Sequence, residues 1–189
     1  MNENHALCSS PEWVEHLQSD VLPVLVRDVD IGKKMLEVGP GPGAATAWLR
    51  QRVDRLVVVE SDGAAAEKLI DIFAGMNVEV VHQDATHLDF GDDTFDAAGS
   101  FTMLHHVPTT ALQNRLLSEV LRVLRPGGVL IGSDSLPSDR LHHFHEGDTY
   151  NPVEPGTLFA RLQTLGFEKI TVRVDDVMTF IAHKPQLVQ

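Results

Sequence analysis

Lys34-Met35-Leu36-Glu37-Val38-Gly39-Pro40-Gly41-Pro42-Gly43 carries a short apolar strand straight into three alternating glycines. The residues that follow, 44–53, read as a helix, so the stretch is a strand–glycine turn–helix unit. Glycine lacks a Cβ, so it takes positive φ and lets a ligand approach the backbone. The helix behind it offers unpaired N–H groups and the positive end of a dipole. Downstream, Leu56-Val57-Val58-Val59 is apolar at every position, as a strand covered on both faces must be. Residues 63–74 predict a helix with Ala65, Leu69, Ile70 and Phe73 facing inward. Residues 78–81 and 95–100 read as the third and fourth strands. Thr109 or Thr110 is placed to cap a helix carrying Leu112, Leu116, Val120, Leu121 and Leu124, and Pro126-Gly127-Gly128 stops it. Residues 129–132 make a fifth strand, 135–155 a long polar loop, and 156–165 a helix closed by Gly166. Residues 168–174 and 177–183 form a hairpin across Asp175-Asp176. Upstream, Ser9 and Glu12 are spaced as a capping box around Pro11, and Trp13, Leu17 and Val21 share a face; Pro23 interrupts, so the helix is expected to run over about 11–20, either ending there or continuing with a kink. Strand and helix alternating in this way predict an α/β fold: a parallel sheet with helices on both faces and a ligand at the carboxyl ends of the strands.

The whole chain sets bounds on that picture. Its 189 residues suit one domain over 1–189, with residues 1–30 as a helical cap over the active edge. Apolar residues are 43% and charged residues 22%, which excludes a largely disordered chain. A net charge of −12 with no Lys/Arg cluster argues against nucleic acid and anionic membrane as partners. Cys8 alone excludes an internal disulfide, and neither a signal-like segment nor a membrane-length apolar run is visible. A cytoplasmic protein is expected.

Chemistry-bearing residues fall at the strand ends. Glu60 closes the second strand, seventeen positions after Gly43, where a carboxylate accepts from both hydroxyls of a ribose. Asp84 follows the third strand; its carboxylate suits an exocyclic adenine amine, and the Ala85 N–H a ring nitrogen. The glycine loop with Glu60 fits a dinucleotide too. Pro40 and Pro42, however, remove two amide donors, which favours a ligand without a pyrophosphate.

At the fourth strand the chain reads Phe95-Asp96-Ala97-Ala98-Gly99-Ser100-Phe101-Thr102-Met103-Leu104-His105-His106-Val107, and before the fifth Leu121-Arg122-Val123-Leu124-Arg125-Pro126-Gly127-Gly128-Val129-Leu130. With these motifs in order, the chain from about Met35 to Leu136 resembles the class I S-adenosylmethionine (SAM)-dependent methyltransferases, most closely the ubiquinone- and menaquinone-type small-molecule branch. The resemblance implies a Rossmann-like doubly wound sheet of seven strands with the last antiparallel. It implies transfer of a methyl from SAM to a small molecule, leaving S-adenosylhomocysteine. By position, Glu37, Gly39, Gly41 and Gly43 would hold the methionine part, Glu60 and Ser61 the ribose, and Asp84 and Ala85 the adenine. Ser100 and Phe101 would line the reacting centre.

The histidines are read separately. His105-His106 matches a Leu-His-His stretch common in that family and is expected to be ring packing beside the cofactor. His142, His143, His145, Glu146 and Asp148 suit a polar lid over the acceptor better than a metal site, since their spacing matches no zinc pattern; no metal is expected. If the nucleophile arrives protonated, His142, His143 and His145 are the candidate general bases, with none preferred. Two other readings share the loop: a nicotinamide-dependent oxidoreductase, for which no Tyr/Lys catalytic pair is evident, and a non-catalytic SAM-binding module.

Overall fold

A computed structural model of the chain describes residues 10–186. Seven strands form one sheet in the order β3-β2-β1-β4-β5-β7-β6. They are β1 (Lys34–Val38), β2 (Arg55–Glu60), β3 (Val78–His82), β4 (Phe95–Phe101), β5 (Leu124–Asp134), β6 (Glu168–Val174) and β7 (Met178–His183). The first five run parallel, and β7 pairs antiparallel with both β5 and β6. The order reverses between β1 and β4, the point at whose carboxyl ends open α/β sheets place a ligand.

Side-chain alternation along the central strands sorts the core into two layers. Leu36, Val38, Val57 and Val59 face α5 (Thr110–Val123) and α7 (Pro155–Leu165) through Leu116, Leu117, Val120, Leu158 and Leu162. Met35, Leu56, Val58, Val129 and Ile131 face α3 (Ala44–Leu49) and the N-terminal helix through Ala45, Trp48, Leu49, Leu22 and Leu25. Each fully buried Val or Leu contributes about 1.5–3 kcal/mol of transfer free energy.

The N-terminal helix refines the expectation. Ser10 caps it, accepting from Trp13 N at 3.2 Å; Ser9 lies outside the described residues. Of the two courses open to it past residue 20, it takes the continuing one. α1 (Pro11–His16) runs through a π turn, Leu17–Val21, into α2 (Leu22–Val26). The wide turn lies just ahead of Pro23, which has no N–H to give to an ordinary helical ladder. Its apolar stripe lies on the sheet face, while Gln18 Nε2 reaches the active edge by donating to Ala44 O at 2.8 Å.

Other departures have physical causes. On α4 (Gly63–Ile72) it is Ala66 and Leu69 that are buried, with Phe73 just beyond, and Ile70 is half exposed. The link from β3 to β4 carries no helix, and none was expected there. That connection is held instead by Arg122, whose guanidinium donates to Leu88 O at 2.8 Å and Phe90 O at 2.7 Å, while Glu119 accepts from Leu88 N at 2.9 Å. Helix α5 ends at Val123, ahead of Pro126-Gly127-Gly128, because Leu124 already pairs with Phe95 in the sheet. The segment 135–155 contains a short helix, α6 (Asp139–Phe144), capped by Ser138.

Asp96 fastens the far end of the sheet. Its carboxylate accepts from Lys33 N at 2.6 Å and Lys34 N at 2.9 Å, and pairs with Arg125 at 2.8 Å, so one side chain links the starts of β1, β4 and β5. Burial alone would push its carboxyl up, but the two amides and Arg125 outweigh that and hold it below the usual carboxylate range. Asp96→Asn is therefore expected to cost about 1–3 kcal/mol in urea unfolding at pH 7. Because the folded-state pKa is depressed, the stabilisation is present above the ordinary Asp value of 3.8 and fades as pH falls below it. The gap between wild type and variant should narrow accordingly at acid pH.

Candidate active site

Five chain segments meet at the carboxyl edge. The loop after β1 has all three glycines at positive φ, 64° for Gly39, 55° for Gly41 and 88° for Gly43. Their tolerances differ. A Cβ on Gly39 would run into Met103, and one on Gly43 would press on Phe73 and Leu69, whereas one on Gly41 would meet nothing within 4 Å. Gly41 is thus the open side of the loop. Its amides are scarce. Pro40 and Pro42 have no N–H, Gly39 N donates to Val59 O at 2.9 Å, and Gly43 N donates to Pro40 O at 3.0 Å. Among the described residues this leaves the Gly41 N–H as the loop's uncommitted donor.

Beneath the loop lies Glu37, 1% exposed. It shares the sheet face of Met35, so it is covered by α3, and Thr46 Oγ1 from that helix donates to its Oε2 at 2.7 Å. Burial raises its carboxyl to about 7, against a smaller opposing effect of the Thr46 bond. At the end of β2, Glu60 is 6% exposed and accepts from Asp62 N at 2.9 Å through Oε1. Ser61 is exposed, and its carbonyl lies 3.1 Å from His82 Nε2. After β3, Asp84 is exposed and braces its own turn by accepting from Thr86 N at 2.8 Å; Ala85 beside it is half-buried. Ser100 in β4 is 1% exposed, and its hydroxyl has no hydrogen-bond partner among the described residues. Phe101 is 8% exposed. Glu37, the glycines, Glu60, Asp84, Ala85, Ser100 and Phe101 thus share one edge of the sheet.

The histidine candidates separate. His142 and His143 are exposed on α6, with His143 Nδ1 2.6 Å from Asp139 O within its own helix. His145 is 3% exposed and turns inward. There it meets His105 and His106 of the turn Leu104–His106, with ring centroids 5.0 and 5.1 Å away, and stacks on Tyr150 at 4.6 Å. His105 is also 3% exposed, and its Nδ1 donates to Asp134 Oδ1 at 2.5 Å. Asp134 ends β5 and is 1% exposed.

Sequence reading missed Thr46, Thr102 and Asp134. Thr46 is the one polar residue in the helix Ala44–Leu49, which was a usable signal. Asp134 closes an apolar strand as Glu60 does. Thr102 has φ 53°, costly for a β-branched residue, and donates its N–H to Ser133 O at 2.7 Å. Strain of about 1–3 kcal/mol at such a position collects at functional edges; no sequence pattern announces it.

Comparison with known proteins shows the family. A family profile described as a methyltransferase domain matches residues 36–132. The methyltransferase GfsG of Streptomyces halstedii is 33% identical over 117 residues, covering 57% of this chain and 39% of that protein. A demethylmenaquinone methyltransferase of Clavibacter sepedonicus is 33% identical over 101 residues, covering 53% of this chain and 40% of that protein. The chain therefore spans about two fifths of the length of these curated relatives. In fold it is similar to a solved protein of Pyrococcus horikoshii OT3, with a TM-score of 0.81 at 18% identity, covering 97% of this chain and 99% of the other. With the profile matching more than half its length, the chain belongs to the methyltransferase-domain family, within the class I SAM-dependent methyltransferases.

Proposed function

We propose that this chain transfers a methyl group from SAM to a small, protic acceptor. The observation that carries the reading is the pairing of a donor-poor glycine loop with a buried carboxylate beneath it. A pyrophosphate needs several converging N–H groups, and this loop offers one. It would also be repelled by Glu37. A ligand carrying an ammonium group suits the same place, because its charge replaces the solvation that Glu37 has lost. This favours SAM over a nicotinamide dinucleotide.

The residues present fit SAM. Glu37 and the Gly41 edge would hold its amino acid part, Glu60 its ribose hydroxyls, and Asp84 with the Ala85 N–H its adenine. The unpartnered Ser100 hydroxyl and Phe101 would line the methionine side. When bound, SAM supplies an electrophilic methyl on a sulfonium whose leaving group departs neutral. The protein then has no developing anion to stabilise on the leaving side, so its contribution is alignment and exclusion of water. Met103 lies close against Gly39 on that side, and Phe101 is buried at the end of β4. His105, oriented by Asp134, replaces the exposed His142 and His143 as the imidazole placed to take a proton from the acceptor. The absence of a Lys/Arg cluster and the charge of −12 favour an acceptor that is not a polyanion.

Calorimetry on the full chain tests the reading. SAM and S-adenosylhomocysteine should bind with micromolar affinity and NAD should not; a preference for NAD would overturn it. Glu60→Ala should weaken S-adenosylhomocysteine at least about tenfold through loss of a bidentate charged hydrogen bond. Affinity should also fall below about pH 7, where Glu37 takes up a proton. The ligand-free protein should show the reverse. Burial raises Glu37 from 4.5 to about 7, so neutral Glu37 lends stability that is complete below 4.5 and lost as pH rises through 7. Glu37→Gln should accordingly unfold at higher urea than wild type at pH 8, and the difference should vanish near pH 4.5.

A further inference from the structure

We propose that His105, His106 and His145 form a binding site for one first-row divalent transition ion, with Zn2+ as the representative case. This departs from the expectation that His105 and His106 only pack and that no metal is held. One ring nitrogen from each of the three lies within 4.8 Å of the other two. Bringing three nitrogens to Zn–N distances of about 2.0–2.1 Å then needs each to move inward by less than about 1 Å. The geometry resembles the three-histidine face of an open site, with the fourth position left for water or a ligand.

Hydrogen bonding selects the atoms. Leu141 O can only accept, so the contact at 2.7 Å places a hydrogen on His145 Nδ1. The carboxylate of Asp134 likewise accepts from His105 Nδ1. In both neutral rings the lone pair is then on Nε2. Carboxylate–histidine and carbonyl–histidine pairs of this kind orient metal-binding imidazoles and raise their basicity. Asp134 is itself fixed, accepting from Ser135 N at 2.7 Å.

The support extends outward. Asn151 N donates to His105 O at 2.8 Å, and Asn151 Nδ2 to Val107 O at 3.0 Å. Gln113 Nε2 donates to both Leu104 O and Asn151 O, at 2.9 and 2.8 Å. These bonds tie the segment bearing His145 to the turn bearing the other two, so the three rings meet on a braced frame. An all-imidazole set favours Zn2+ and its neighbours over Mg2+ or Ca2+, which prefer oxygen.

The ion-binding claim stands independently of methyl transfer. On the reading proposed above, the open position would take the acceptor's hydroxyl or thiol; the ion then occupies the His105 Nε2 lone pair, so the acceptor's proton leaves to solvent and not to His105 as the oxygen or sulfur binds the metal.

Metal-stripped full-length protein titrated with Zn2+ against a chromogenic chelator should bind one equivalent. His105→Ala and His145→Ala should each lower the affinity about 100-fold, and Asp134→Asn about tenfold. His142→Ala and His143→Ala should leave it unchanged. Co2+ added to the unaltered chain should give visible absorption of a nitrogen-ligated four- or five-coordinate ion, which His106→Gln removes. That readout does not depend on the buried variants folding. No stoichiometric binding, or binding that survives the His105, His106 and His145 substitutions but not those at His142 and His143, would overturn the proposal. S-adenosylhomocysteine affinity of the metal-stripped protein, measured in parallel, tells failure of this proposal from failure of the methyl-transfer reading.

Discussion

The rest of the molecule depends on the placement of β1 in the middle of the sheet, paired with β2 on one side and β4 on the other. A strand in that position has both faces covered, so four of its five residues are buried, Glu37 among them. Its carboxyl end has no strand to turn into and must leave the sheet at once. That exit requires positive φ at Gly39, Gly41 and Gly43, and close contact between Gly39 and Met103 from the turn after β4. The crevice is the space left where β1 and β4 send their chains to opposite faces.

That arrangement stores unfavourable energy at one edge. Glu37 is desolvated with a single hydroxyl donor, Ser100 has a buried hydroxyl without a partner among the described residues, and Thr102 sits at positive φ. None of these helps the fold. They are tolerated because the two apolar layers and the Asp96 clamp at the opposite edge hold the strands in register. On the proposed reading, a ligand that carries positive charge to Glu37 and a polar atom to Ser100 would recover part of that cost on binding. These unfavourable groups lie at one end of the strands and the stabilising contacts at the other.

Much of the fold was legible because the decisive patterns are local. The unbroken Val57-Val58-Val59 run marks a strand covered on both faces, and it is one. Thr109 caps the long helix and Gly166 closes the last one at φ 106°. Errors arose where tertiary contacts replaced a local preference. Ile70 matches the helical period yet points outward, because α4 docks through Ala66, Leu69 and Phe73.

The sequence by itself determined the strand–glycine–helix unit, the parallel sheet and the acids at the strand ends. Each of these is written in spacing of two or 3.6 residues, or in glycine and proline at adjacent positions, and so needs no knowledge of distant neighbours. Only the tertiary structure decided which histidines meet. His105 and His145 are forty positions apart, and the acid that orients His105 comes from β5. They meet because β4 and β5 are adjacent strands and because α6 turns one of its neighbouring histidines inward while leaving two in water. Convergence of that kind is set by packing between elements, which no local spacing encodes.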